Sequence, residues 1–291
     1  YALHQGGETT EYGDVKTFTT RKEGGGSSGS TPTRPTPTVP EEVKTPPAGE
    51  VGYLNIPEDL LALGSGNVIL FTDPLGGTDI LGLGIVEGQR MKYISRGAGN
   101  YKIIYNARPF DDIDGHWAKD DIDFSSARLL YHGVTPNLFA PESAMTRGMF
   151  VAVIGRMYGV DAGKYTDSRF TDVEQELYYA PFIQWAAEEG IVFGVSASSF
   201  EPERPVTRQE MAAIMQRFMD YLEINLTNTS DIFADDEQIS DWARENVYMM
   251  RGTGIMNGRS DNKFVPHANS TRAEVAVVFK RLIEHIVNKG Q

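Results

Sequence analysis

The chain has 291 residues, 40% of them hydrophobic and 23% charged, which is more than one small core accommodates, so about two domains are expected. Its 27 Lys and Arg face 40 Asp and Glu; the net charge of -13 argues against a nucleic-acid backbone or an anionic membrane as partner, and any acidic ligand needs a local cluster of cations. The lack of cysteine excludes disulfides, thiolate metal sites and cysteine nucleophiles, no apolar run approaches the roughly 18 residues of a membrane span, and the start at Tyr1 with no signal peptide leads us to expect a soluble piece of something longer.

In chain order, residues 1–23 show no clear periodicity and are read as the tail of an upstream region. Residues 24–50 (GGGSSGSTPTRPTPTVPEEVKTPPAGE) hold almost nothing able to bury apolar surface and read as a linker, flexible in its Gly-Ser half and semi-extended in its Pro-Thr half. Residues 51–109 form a β-leaning segment. Its runs at 68–72 (VILFT), 80–86 (ILGLGIV) and 101–105 (YKIIY), punctuated by Asp-Pro and Gly pairs, predict three or four antiparallel strands. So small a sheet is marginal alone, and it is expected either to be half of a larger sandwich or to dock on the region C-terminal to it. Gly82 and Gly84 begin a dinucleotide-like pattern, but the next glycine, Gly88, comes one place late and no helix is predicted after it.

From Phe110 onward the chain holds 17 basic and 28 acidic residues, against 10 and 12 before it. Here a threefold repeat dominates. Sixteen residues after Trp117 lies Gly133, followed at fixed steps by Phe139, Pro141, Thr146 and Arg147. The same steps from Tyr178 reach Gly194, Phe200, Pro202, Thr207 and Arg208; from Trp242 they reach Gly258, Phe264, Pro266, Thr271 and Arg272. Upstream of each aromatic stand a Phe and an Asp: Phe110 and Asp112, Phe170 and Asp172, Phe233 and Asp235. Repeats at 110–166, 167–229 and 230–291 follow from these columns.

Each repeat reads as two helices joined by a turn and an extended Phe-x-Pro segment. The first helix is predicted to open at the aromatic, with Gly190 and Gly254 as C-caps and Leu129 in their place in the first copy. The second opens at Thr. TRQE (207–210) and TRAE (271–274) spell capping boxes, with Glu210 and Glu274 reaching back to the Thr amides, whereas TRGM (146–149) lacks the carboxylate. Apolar stripes such as Met211, Met215, Phe218 and Met219 on the second helices call for a shared core, with three equivalent helices meeting at a pseudo-threefold axis.

The Arg after each Thr opposes the helix dipole, at a cost of about 0.3–1 kcal/mol at an exposed site. Either it joins free helix-start amides in gripping an anion, or it pairs with an acidic residue of the leading loop; both can hold. Trp117, Tyr178 and Trp242 are either core residues or exposed rings that stack on sugar. Asp112, Asp172 and Asp235 either cap the first helices or bind hydroxyls.

The order Phe-x-Asp, aromatic, Gly, Phe-x-Pro, TRxE resembles the S-layer homology (SLH) domain family, in which three tandem copies are usual; the likeness covers some 180 residues. The resemblance implies a mainly α fold: a pseudo-threefold trimer of repeats with a central three-helix bundle, preceded here by the linker and the small antiparallel β segment. It further implies non-covalent anchoring, on the surface of a Gram-positive bacterium, to a secondary cell wall polymer attached to peptidoglycan, commonly through a pyruvylated amino sugar bound in grooves between repeats. S-layer lattice neighbours are further possible partners. Carried over by motif, Arg147, Arg208 and Arg272 receive the carboxylate, and Trp117, Tyr178, Trp242, Asp112, Asp172 and Asp235 shape the grooves. Thr146, Thr207, Glu210, Thr271 and Glu274 are structural caps. The groove using Trp242 with Arg272 is expected to be the best formed. On this reading Arg272→Ala weakens binding without unfolding the chain.

Catalysis is not expected in this stretch, because the five histidines show no metal spacing and no nucleophile motif occurs. No cofactor or metal is expected either. A calcium loop counted back from Gly115 would put Phe110 at its first ligand position, which excludes it. The attached protein could still be a surface glycoside hydrolase or a self-assembling S-layer protein.

Overall fold

A computed structural model describes residues 45–289; the tail expected at 1–23 and most of the linker expected at 24–50 lie outside the described residues. The β segment has six strands where three or four were predicted: β1 (Val51–Asn55), β2 (Asn67–Thr72), β3 (Thr78–Ile80), β4 (Gly84–Glu87), β5 (Arg90–Ile94) and β6 (Asn100–Tyr105). The predicted run at 80–86 is divided, because Leu81–Leu83 leave β3 to carry the chain into β4. Strands β1 and β5 were missed; each is short, and polar or glycine residues interrupt its apolar pattern. All pairings are antiparallel, in two three-stranded sheets ordered β1-β5-β4 and β3-β2-β6. Ile69, Phe71, Met91, Tyr93 and Ile103 fill the space between them.

The segment does dock on the helical repeats. Arg128 is buried, and it donates from Nε and Nη2 to the Gly84 carbonyl at 3.0 and 2.8 Å and from Nη1 to the Phe124 carbonyl at 2.9 Å. Its guanidinium carbon stands 3.5 Å from the centroid of the Phe124 ring. Gly82, first of the dinucleotide-like glycines, lies against the backbone of Met157, where any Cβ would overlap the Met157 carbonyl oxygen. Its glycine is thus explained by close packing.

The repeats supply six helices: α1 (Lys119–Ala127), α2 (Arg147–Tyr158), α3 (Ala180–Glu188), α4 (Arg208–Tyr221), α5 (Asp241–Gly252) and α6 (Arg272–Lys289). Within this region the chain is mainly helical. The aromatic opens the helix only in the third repeat; Trp117 and Tyr178 precede α1 and α3 by two residues, in tight turns. Beyond α3 and α5 the left-handed residues are Gly190 and Gly254 (φ 71° and 73°), and Leu129 takes the same conformation at φ 59°.

Each second helix packs beside the first helix of the next repeat: α2 with α3, α4 with α5, and α6 with α1. Gly155 in α2 permits this closeness, since a Cβ there would overlap Phe182 of α3. The predicted stripe residues Met211, Met215, Phe218 and Met219 are buried in one cluster spanning all three repeats, while the exposed Tyr158 at the end of α2 stacks its ring on Trp185 with centroids 5.8 Å apart. With 18 residues, α6 outruns α2 and α4 and reaches β4 and β5.

Candidate functional site

Each repeat builds the same turn first. The leading Phe packs on the Phe of Phe-x-Pro, with centroids 5.5, 5.4 and 5.3 Å apart in successive repeats. Gly133, Gly194 and Gly258 lie under the leading Phe ring, where a side chain would collide with it and with a nearby backbone carbonyl. The middle residue of Phe-x-Pro is left-handed in all three copies: Ala140, Glu201 and Val265 have φ of 58°, 57° and 56°.

The loop aspartates hold that strained backbone. Asp112 accepts the amides of Phe139 and Ala140 at 2.8 and 2.6 Å. Asp172 accepts those of Phe200 and Glu201, both at 2.8 Å, and Asp235 those of Phe264 and Val265 at 2.7 and 2.8 Å. None caps a first helix. For Asp112 burial raises the pKa, but the two amides, aided by the Arg272 charge, outweigh it and hold the carboxyl below its ordinary value. Asp172 is lowered likewise, burial being outweighed by the Ser199 hydroxyl and the amides.

The second-helix starts come next. Both arms of the capping box are present at Thr207–Glu210 and at Thr271–Glu274, while Thr146 accepts only the Met149 amide. The first two amides of each helix, expected to be free for an anion, are taken by the next repeat. Arg147 and Gly148 donate to the carbonyls of Arg204 and Pro202, Arg208 and Gln209 to those of Ala268 and Pro266, and Arg272 and Ala273 to those of Ser143 and Pro141. The acceptors follow the order first to second, second to third, third to first.

The guanidiniums follow the same ring. Arg147 reaches the carbonyls of Phe200 and Phe193 at 3.0 and 3.2 Å, Arg208 those of Phe264 and Asn257 at 2.7 and 2.8 Å, and Arg272 those of Phe139 and His132 at 2.8 and 2.9 Å. Each is 5% exposed and lies over the Phe of the next Phe-x-Pro, at 4.5, 4.9 and 4.5 Å. Burial lowers all three pKa values, that of Arg208 to about 10, which leaves it charged near neutrality. Among the described residues none pairs with a leading-loop aspartate; Arg147 alone meets a carboxylate, Glu210 at 3.2 Å.

Around these buried cations the rings stay open: Trp117, Tyr178 and Trp242 are 65%, 49% and 55% exposed. Tyr178 and Arg272 share a cavity of about 510 Å³ with His132, Val134, Met149 and Arg156. Trp242 and Arg147 share another of about 480 Å³ with Phe193, Val195, Glu210 and Arg217. The expected partnership of Trp242 with Arg272 is therefore corrected. Each Arg reaches forward to the next repeat, so residues of one repeat end up in different grooves.

The sequence reading missed a further cation. Arg156, Arg217 and Arg281 lie ten residues after the Thr in every copy, a column open to the same count. Arg156 stands 5.2 Å from the Tyr178 ring centroid and Arg217 4.6 Å from that of Phe193. Among the described residues no group of three or more His, Asp or Glu is placed to hold a metal, and no helix is long and apolar enough to cross a membrane.

Comparison with known proteins agrees with the repeat frame. The sequence model of the S-layer homology domain matches residues 109–148, 169–212 and 232–276. An amylopullulanase of Thermoanaerobacterium thermosulfurigenes is 36% identical over 61% of this chain and 10% of its own length. Exoglucanase XynX of Acetivibrio thermocellus is 35% identical over 62% of the chain and 17% of its own, and a cellulosome-anchoring protein of that species 26% identical over 52% and 35%. The chain thus spans a minor part of the relatives it matches.

Proposed function

Because this chain carries three tandem S-layer homology domains, we propose that it is a non-covalent anchor that binds an anionic, pyruvylated secondary cell wall polymer in the grooves between repeats. The ring of contacts from each repeat to the next is read as the pseudo-threefold assembly, with α2, α4 and α6 as its central bundle. In each groove a buried Arg supplies positive charge and an exposed ring supplies a face for sugar. Arg147, Arg208 and Arg272 serve this role with Trp117, Tyr178 and Trp242, while Asp112, Asp172 and Asp235 act on the grooves through the Phe-x-Pro turn. The place of action is the cell wall of a Gram-positive bacterium, and catalysis belongs to whatever the anchor is joined to.

One observation carries this reading: three rings at equivalent positions remain 49–65% exposed while the leading Phe of every repeat is buried. A large ring left in water at every repeat gains nothing for folding. Replacing Trp117, Tyr178 and Trp242 together by Ala should leave the thermal midpoint within a few degrees and abolish sedimentation with polymer-bearing wall sacculi. Retained binding to the sacculi, or equal binding to sacculi stripped of polymer, would defeat the proposal.

A further inference from the structure

We propose that the β segment is a clasp: it holds closed the joint between the third repeat and the first, the one joint of the ring that no short connection spans. The inference stands on packing and is independent of what the grooves bind. At the other two joints the paired helices follow each other in the chain, α2 being joined to α3 by residues 159–179 and α4 to α5 by residues 222–240. Helices α6 and α1 are instead separated by residues 128–271. Closing so long a loop costs more chain entropy than closing a short one. Between the two helices, among the described residues, the polar contacts are Lys280 with Asp121 at 2.9 Å and the Ser125 hydroxyl donating to the Ala276 carbonyl at 3.5 Å.

The β segment fastens to both sides of this joint. On the α1 side, Asn106 Nδ2 donates to the Ala127 carbonyl at 2.6 Å, and the buried Arg128 reaches the carbonyls of Ser65 and Asn67 at 3.4 and 3.5 Å besides those of Gly84 and Phe124. Its hydrogen-bond partners among the described residues are all carbonyls, three of the four in the β segment, so the charge serves the seam between sheet and helix. On the α6 side, Lys92 Nζ donates to Asn288 Oδ1 at 3.3 Å, and Ile85 of β4 is buried in the same core as Ile286 and Val287. Phe124 of α1, Glu284 and Asn288 of α6 and Val86 of β4 line one cleft, where the three elements meet.

Two departures from threefold likeness fall at this joint. Arg128 stands where the other repeats have Glu189 and Thr253, neither of which is buried. Helix α6 runs for 18 residues against 12 in α2 and 14 in α4, and its added length carries Ile286, Val287 and Asn288 to the sheet. A buried charge stripped of its acceptors is strongly unfavourable. Arg128 can therefore stay buried only while the sheet is docked, and the docked sheet also covers the end of α6. Undocking of the segment and opening of the joint are thus one event.

The test is zero-length carbodiimide cross-linking of Lys280 to Asp121 in the full chain, combined with hydrogen exchange read by mass spectrometry. The parent should form the α1–α6 cross-link and exchange slowly in both helices. Arg128→Met should lower the cross-link yield at least fivefold and speed exchange at least tenfold in α1 and α6, with α3, α4 and α5 near parental rates. Should that variant fail to fold, Arg128→Lys, which keeps the charge and loses the fork, should show the same pattern at twofold or more. Faster exchange confined to the β segment, with parental cross-linking, would overturn the clasp. So would a rise shared equally by all three repeats, or parental behaviour in both variants.

Discussion

A left-handed backbone at Ala140, Glu201 and Val265 costs about 1–2 kcal/mol per residue, and a β-branched side chain such as Val265 is the least suited to it. The aspartate beneath offsets that cost, because its two oxygens accept two adjacent amides that only this conformation turns the same way. Asp235 is itself buried. Asp235→Ala should lower unfolding stability by about 3 kcal/mol, two charge-assisted hydrogen bonds at about 1.5 kcal/mol each, read as a shift in the denaturant midpoint; a loss below 1 kcal/mol would refute the role. The arginines carry a comparable structural load. Arg272 joins repeats through the carbonyls of Phe139 and His132, so Arg272→Ala removes contacts that hold the fold as well as charge from the groove. Arg272→Ala is therefore expected to lower stability as well as binding, and the exposed rings are the cleaner probe.

At the scale of the helix, the three second-helix starts differ in one respect. Thr207 and Thr271 have complete capping boxes and Thr146 has half of one. Since the next two amides of every start donate across to another repeat, a loosened cap also loosens a joint. Glu274→Ala should cost about 1 kcal/mol, seen as a lower melting midpoint with unchanged affinity for polymer-bearing sacculi. A fall in that affinity larger than the fall in stability would mean that Glu274 acts on ligand and not on the helix.

At the scale of the whole molecule, acid should act through interior contacts of the first two repeats. Asp112, Asp172 and Glu210 are all held below their ordinary values of 3.8, 3.8 and 4.5; burial opposes the shift in each, and hydrogen bonds from amides, hydroxyls or Arg204 override it. A carboxyl depressed by folding stabilises the native state above its unfolded value and loses that contribution as pH falls through its folded value. The melting midpoint should therefore be level from pH 7 to about 5 and fall steeply below the ordinary carboxyl range. Asp172→Asn should shallow that acid limb; an unchanged limb would mean that the loop carboxylates do not govern acid unfolding.

The three repeats, their second helices, the Thr caps and the positions of Arg, Asp and aromatic were all legible in the sequence, because each is a local pattern: the spacing from aromatic to Arg is fixed over 31 residues, and the Asp stands two places after the leading Phe in every copy. Strands β1 and β5 were not, since their short interrupted runs gain stability from pairing with distant strands; nor were the burial of Arg128 and the closeness of Gly82 to α2. That each repeat grips the next emerged from the packing alone. It assigned Arg272 to Tyr178 and Trp242 to Arg147, and gave both oxygens of each loop aspartate to the backbone. A cap or stripe is closed by residues a few places away, whereas a groove is closed by whichever chain segment packing brings across from another repeat.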